Sequence, residues 1–259
     1  MKDRKWSWVG ACSTGTSHLR AGLGCDDAGG CIEFQATEGP TLVAIASDGA
    51  GSAEFSRIGA GIVTRTFSRC AFDFLSSGGR VSEVNSERAS EWLDAIRDRI
   101  NQAASRENAQ PRAFAATLVG CIVQREHSVV IHVGDGACVY RLHGSGTWEV
   151  PSWPTQGEYA STTYFVTDDP QPRATIKHID GGVEEIAVFT DGLERLALDF
   201  GSSTAFRPFF ESMFGALRGL PAGRQRRLSM DLRTFLDSSA VTERSDDDKT
   251  LIMARRSGA

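Results

Sequence analysis

Two apolar runs of strand length, Leu42-Val43-Ala44-Ile45-Ala46-Ser47 and Glu185-Ile186-Ala187-Val188-Phe189-Thr190, end alike in a small hydroxyl residue and continue as Asp48-Gly49 and Asp191-Gly192. Both turns then open into a helical pattern. Residues of this kind suit a strand, and an Asp just beyond its end can aim its oxygens outward while the Gly permits a tight backbone path. Asp27 and Asp247 stand in comparable turns near the two ends of the chain. Carboxylates presented side by side in this way suit one hard cation. A site drawing on both ends of a chain needs both ends in one fold, so a single domain over residues 1–259 is expected.

Composition bounds the alternatives. At 259 residues and 41% hydrophobic, the chain has enough apolar material to bury a substantial core. Its net charge is −5, from 28 Lys+Arg against 33 Asp+Glu, with no long basic run, which argues against nucleic acid as a partner. The first residues, Met1 to Trp6, are charged and lead into no apolar signal-peptide core, and no stretch approaches the roughly 20 apolar residues of a membrane helix. A cytoplasmic protein without a membrane partner is expected. Cys12, Cys25, Cys31, Cys70, Cys121 and Cys138 are scattered without a Cys-x-x-Cys pair, and several sit in apolar runs. That pattern predicts buried, reduced thiols rather than zinc ligands or disulfides. Cys25 is the exception to weigh, lying beside the proposed site.

Periodicity predicts strands at Trp6 to Cys12, Cys31 to Phe34 and Thr41 to Ser47, then a helix over Ser56 to Leu75. A second helix places Trp92, Leu93, Ile96, Ile100 and Ala103 on one face and ends before Asn108. Ala115 to Val123, Ser128 to Val133 and Ala137 to Leu142 read as consecutive antiparallel strands, separated by a charged turn and by Gly134-Asp135-Gly136. Further strands fall at Arg173 to Ile179, Glu185 to Phe189 and Lys249 to Ala254, with helices at about Thr204 to Leu217 and Arg224 to Leu236. The stretch from Gly144 to Gly157 reads as a surface loop. Strands and helices come in blocks, which favours α+β with antiparallel sheets over a doubly wound parallel sheet.

Carboxylate oxygens without His or Cys partners select Mg²⁺ or Mn²⁺. Two such ions about 3.5–4 Å apart can share a water, lower its pKa and hold it in line with a phosphorus atom. Asp-Gly after a strand is also an ordinary turn signal, so the surrounding text has to decide.

That text resembles the metal-dependent serine/threonine protein phosphatases of the protein phosphatase 2C class, in a bacterial branch, from about Trp8 to Ala254. The resemblance rests on Gly15-Thr16-Ser17-His18 followed by Cys25-Asp26-Asp27-Ala28, on Ser47-Asp48-Gly49-Ala50-Gly51-Ser52, and on Ala116-Thr117-Leu118 with Val133-Gly134-Asp135-Gly136-Ala137. Gly157-Glu158-Tyr159-Ala160, Thr190-Asp191-Gly192-Leu193 and Asp247-Asp248-Lys249-Thr250 complete it. It implies a four-layer α-β-β-α sandwich, two antiparallel sheets flanked by helix pairs. It also implies a dinuclear Mn²⁺ or Mg²⁺ site, with a third ion left open, and hydrolysis of phosphoserine or phosphothreonine in proteins by a metal-activated water. Asp48 would bridge both metals, the Gly49 carbonyl would complete one shell, Asp191 and Asp247 would hold one ion, and Asp27 would act mainly through metal-bound water. Asp248 stands where many members have Asn and is expected to neighbour the ligands. A phosphoprotein substrate and a cognate Ser/Thr kinase are the implied partners.

Two departures bear on mechanism. Ala50 occupies the place where many eukaryotic members carry a His thought to protonate the leaving group, so His18 becomes the candidate acid nearest a metal motif. The phosphate-binding Arg of other branches has no clear counterpart: Arg20 is out of register, and Arg57 reads as a solvated helix residue. These losses keep a second class in view, a catalytically weak or inactive phosphoprotein-binding module of the same fold. A two-metal nuclease would want a basic groove, and none is evident in an acidic sequence. Glycosidase chemistry from paired carboxylates does not explain the Asp-Gly turns.

Overall fold

The computed structural model describes residues 6–154 and 163–257. In chain order its first half holds β1 (Trp6–Ser13), α1 (Thr16–Ala21), β2 (Ala28–Ala36), β3 (Gly39–Ser47), α2 (Ser56–Ser76), α3 (Ser86–Glu107), β4 (Leu118–Val123) and β5 (His127–Val133). The second half holds β6 (Ala137–Leu142), β7 (Thr175–Asp180), β8 (Val183–Phe189), α4 (Glu194–Ala197), β9 (Leu198–Asp199), β10 (Thr204–Ala205), α5 (Arg207–Gly215), β11 (Gly223–Arg224), α6 (Arg226–Leu236), α7 (Ser239–Thr242) and β12 (Lys249–Arg256). One sheet runs β2-β3-β4-β5-β7 and the other β11-β1-β12-β8-β6, so the second joins the first strand of the chain to the last.

Three apolar layers make four layers of structure. Val43, Ile45, Ile122 and Ile131 of the first sheet pack against Phe67 and Leu75 of α2 and Trp92, Ile96 and Ile100 of α3. Leu42, Val119, Val130, Ile186, Val188 and Ile252 fill the space between the sheets. Phe189, Leu251 and Met253 of the second sheet pack against Phe210 and Phe214 of α5 and Leu232 and Leu236 of α6. Strands covered on both faces lose the usual alternation and become apolar runs, which is how β3, β4 and β8 read. Each such side chain taken fully out of water contributes about 1.5–3 kcal/mol.

α3 follows its sequence closely. The Asn85 side chain accepts the Arg88 N–H at 2.9 Å to open it, and Asn108, at φ 54°, closes it. α5 begins at Arg207 rather than near Thr204, because Thr204 and Ala205 pair with Asp199 and Leu198 in a small ribbon and Pro208 suits a first helical turn. α2 and α3 together gather Arg65, Arg69, Arg99 and Arg106 around one groove, a basic concavity not anticipated for this acidic chain. The residues come from two helices and meet only through packing.

The three middle strands depart from expectation at one point. β4 and β5 pair antiparallel, but β6 crosses to the other sheet and pairs with β8. Gly134, at φ 110°, lies over the Thr117 side chain and turns the chain between the sheets, a conformation that disfavours any side chain. The second sheet is also not wholly antiparallel, since β11 pairs parallel with β1. Within the Gly144 to Gly157 loop, Trp148 is buried and its ring lies 4.9 Å from that of Phe214, so the loop is anchored in the core. Residues 155–157, and the Gly157-Glu158-Tyr159-Ala160 stretch, lie outside the described residues.

At the start of β8, Glu185 is fully buried and lies 2.6 Å from Arg141 of β6 and 3.1 Å from Arg255 of β12. The register places all three opposite one another. The ion pairs thus close one end of the sheet, about 20 Å from Asp191 at 3.3 Å per residue.

Candidate metal centre

Register brings the carboxylates to one end of the sandwich. Ala28 of β2 stands opposite Ser47 of β3, so Asp27 and Asp48 leave the first sheet side by side. Ala137 of β6 and Leu251 of β12 both flank Phe189 of β8, so Asp135, Asp191 and Asp247 emerge at the same edge of the second sheet. Asp27 is buried, Asp48, Asp135 and Asp191 are half-buried, and Asp247 is exposed.

The hydroxyl residues before each Asp-Gly wire this end together. Ser47 Oγ donates to the Thr117 carbonyl at 2.6 Å, while Thr117 Oγ1 accepts the Asp48 N–H at 2.9 Å. Thr190 Oγ1 donates to Asp27 Oδ2 at 2.7 Å, across the gap between sheets, and accepts the Thr250 N–H at 2.9 Å. The glycines permit close backbone approach. A Cβ on Gly49 would lie 2.7 Å from the Asp26 carbonyl oxygen, and one on Gly192 would run into the Asp248 carbonyl.

Asp248 is the hub of the first motif. Its Oδ1 accepts the Gly15 N–H at 2.6 Å, and its Oδ2 accepts the Asp26 N–H and faces His18 Nδ1 at 3.0 Å. Ser17 also donates through its N–H and hydroxyl to the Asp246 carbonyl, at 3.0 and 2.7 Å. The α1 segment is therefore clamped to the Asp246-Asp247-Asp248 turn.

Electrostatically the cluster is unbalanced. Burial pushes the Asp27 carboxyl up to about 7. Burial, then the charges of Asp48 and Asp135, push Asp191 up to about 9. Asp48 is raised well above the carboxylate range by burial and then by Asp27 and Asp135, and burial also raises Asp135. Among the described residues no Lys, Arg or His forms an ion pair with Asp27, Asp48, Asp135, Asp191 or Asp247. Asp27 Oδ1 and Asp135 Oδ1 are buried without a hydrogen-bond partner. Unpartnered buried carboxylate oxygens are costly, and an all-oxygen donor set fits Mn²⁺ or Mg²⁺. No three His, Cys, Asp or Glu among the described residues are already closed around one point.

Known proteins share both sequence and architecture. The family profile described as protein phosphatase 2C matches residues 14–237. The chain belongs to the protein phosphatase 2C family. Serine/threonine-protein phosphatase 3 of Escherichia coli (strain K12) is 36% identical over 256 residues, spanning 96% of this chain and 98% of that one. The fold is shared with serine/threonine phosphatase Stp1 from Staphylococcus aureus, at TM-score 0.62 and 17% identity over 97% of this chain and 95% of that one. The catalytic domain of PstP, solved in complex with two manganese ions, matches at TM-score 0.62 and 13% identity over 98% and 99%.

In this phosphatase the five residues expected as ligands, Asp27, Asp48, Gly49, Asp191 and Asp247, all lie at the one edge. His18 reaches it only through Asp248, in the short helix α1, and its side chain is 16% exposed. Arg20 and Arg57 are exposed, and neither is ion-paired among the described residues. Asp135 belongs to the cluster by burial and by its effect on Asp48 and Asp191, yet its carboxylate was not singled out in the sequence. The signal was the Gly134-Asp135-Gly136 turn, which reads first as a hairpin. All six cysteines are free, with Cys121 and Cys138 buried, and Cys25, half-buried, has its thiol raised by burial and by Asp27 rather than activated.

Proposed function

We propose that this chain hydrolyses phosphoserine and phosphothreonine in proteins at a dinuclear Mn²⁺ or Mg²⁺ site formed by Asp27, Asp48, Gly49, Asp191 and Asp247. The observation that supports the reading is the gathering of carboxylates from four strand ends, with buried unpartnered oxygens nearby and, among the described residues, no side-chain cation in an ion pair with them. Manganese in the PstP structure favours the same ion here. When bound, such ions supply Lewis acidity, lowering the pKa of a water and offsetting phosphate charge.

The residues of the chain divide the remaining work. Thr117 fixes the backbone at Asp48, which would hold metal in this reading, and Thr190 fixes the Asp27 carboxylate, so neither has to reorganise. His18 is the candidate general acid. Asp248 and the Gly24 carbonyl face its Nδ1, leaving Nε2 without a protein partner among the described residues. In this reading the enzyme works in the cytoplasm, opposite a Ser/Thr kinase. No helix among the described residues is long and apolar enough to cross a membrane.

The reading is tested by phosphothreonine-peptide hydrolysis in Mn²⁺, Mg²⁺ and EDTA. Wild type is expected to turn over only with metal, and Asp247→Asn to lose about a hundredfold or more, the scale of several kcal/mol of Lewis-acid stabilisation. Metal-independent turnover, or an unaffected Asp247→Asn, would remove the proposed site.

A further inference from the structure

The groove between α2 and α3 has a volume of about 670 Å³. Its floor is apolar, with Ile62, Ala95 and Ala103 above the buried Phe114, and Ile58 stands 43% exposed at one end. Arg65 and Arg69 of α2 and Arg99 and Arg106 of α3 line it, against the carboxylates Asp73 and Glu107. Arg69 takes Asp73 at 2.7 Å. Arg65, Arg99 and Arg106 have no carboxylate partner among the described residues. In a chain of net charge −5 this is a local surplus of positive charge.

The groove adjoins the metal-site loop. Phe114 lies between Ala113 and Ala115, whose carbonyls accept the Phe55 and Ala50 N–H groups at 2.8 and 2.9 Å, and these two residues bracket the segment after Asp48-Gly49. Ile58 is in the first turn of α2, whose Ser56 hydroxyl donates to Asp26 at 2.8 Å. The Ile58 end of the groove therefore adjoins the loop that follows Asp48.

We propose that this groove holds acidic residues flanking the phosphorylated side chain of the substrate protein, so that the phosphatase prefers phosphosites in acidic surroundings. The inference rests on the phosphoprotein reading above. Unpaired guanidinium groups match carboxylates, and the apolar floor accepts side chains between them. Single-stranded nucleic acid fits less well. It needs aromatic faces to stack on, and the ring of Phe114 is fully buried against Phe55.

The test is direct binding, by fluorescence anisotropy, of a phosphothreonine peptide with Glu/Asp flanks and of its Gln/Asn-flanked counterpart. With wild type at low salt the acidic peptide is expected to bind about tenfold tighter or more, and the preference to vanish in Arg65→Glu/Arg106→Glu with the thermal melt unchanged. Equal binding of both peptides, a preference that survives the double substitution, or displacement of the acidic peptide by a single-stranded oligonucleotide at equal concentration would overturn the proposal. Because binding is read without turnover, failure of catalysis would count against the phosphatase reading alone.

Discussion

At the scale of single residues, Asp248 shows how a side chain outside the expected ligand set can govern the site. It is 2% exposed, and its oxygens accept N–H groups from the loop that carries Asp27. Asp248→Ala would strand the Gly15 and Asp26 N–H groups, so a loss of about 2–5 kcal/mol in urea unfolding is expected, with metal affinity down about 10–100-fold. Asp248→Asn, which keeps one acceptor, should fall between. The carboxylates themselves make a pH prediction. Folded, Asp27 and Asp191 hold their protons to about 7 and about 9, whereas unfolded aspartates release them near 3.9. Across that window the folded state binds more protons, so the metal-free protein loses stability as pH rises. In EDTA at pH 8, Asp191→Asn is therefore expected to melt above wild type, and with saturating Mn²⁺ below it. The same order in both buffers would show that Asp191 does not face a cation.

At the scale of elements, the strand ends matter more than the strands. Gly192 lets the turn after β8 meet the turn before β12, where a side chain would strike the Asp248 carbonyl. Gly192→Ala is expected to cost about 1–3 kcal/mol by overpacking and to weaken metal binding in calorimetry, since it pushes Asp191 and Asp247 apart. A variant with native affinity would separate the two turns functionally. β3, β8, α2 and α3 are legible in the sequence because burial on both faces, or on one helical stripe, leaves an apolar pattern. α1 is not, since none of its residues is buried and six residues carry no period. The crossing from β5 to β6 is equally hidden. Both strands are apolar runs that suit either sheet, and only the packing of Gly134 over Thr117 sets the path. Asp48 and Asp191 stand out by their matching hydroxyl-Asp-Gly turns, whereas Asp135 sits in a Gly-Asp-Gly turn that reads as a hairpin, and only the pairing of β6 with β8 brings it beside Asp191.

At the scale of the molecule, the sandwich has two unlike ends. At one, the two guanidiniums of Arg141 and Arg255 are matched by the two carboxylates of Glu184 and Glu185. At the other, Asp27 and Asp48 from the first sheet meet Asp135, Asp191 and Asp247 from the second, and among the described residues none of these carboxylates is ion-paired with a side-chain cation. A fold that stacks apolar layers can carry that uncompensated charge only at an edge open to solvent and ions. The direct measurement is calorimetric titration of Mn²⁺ into the metal-free protein and into Asp48→Asn. The account predicts about two ions bound per wild-type chain with protons released at pH 7, and loss of at least one of them in the variant. Equal binding by the two proteins, or none by wild type, would contradict it.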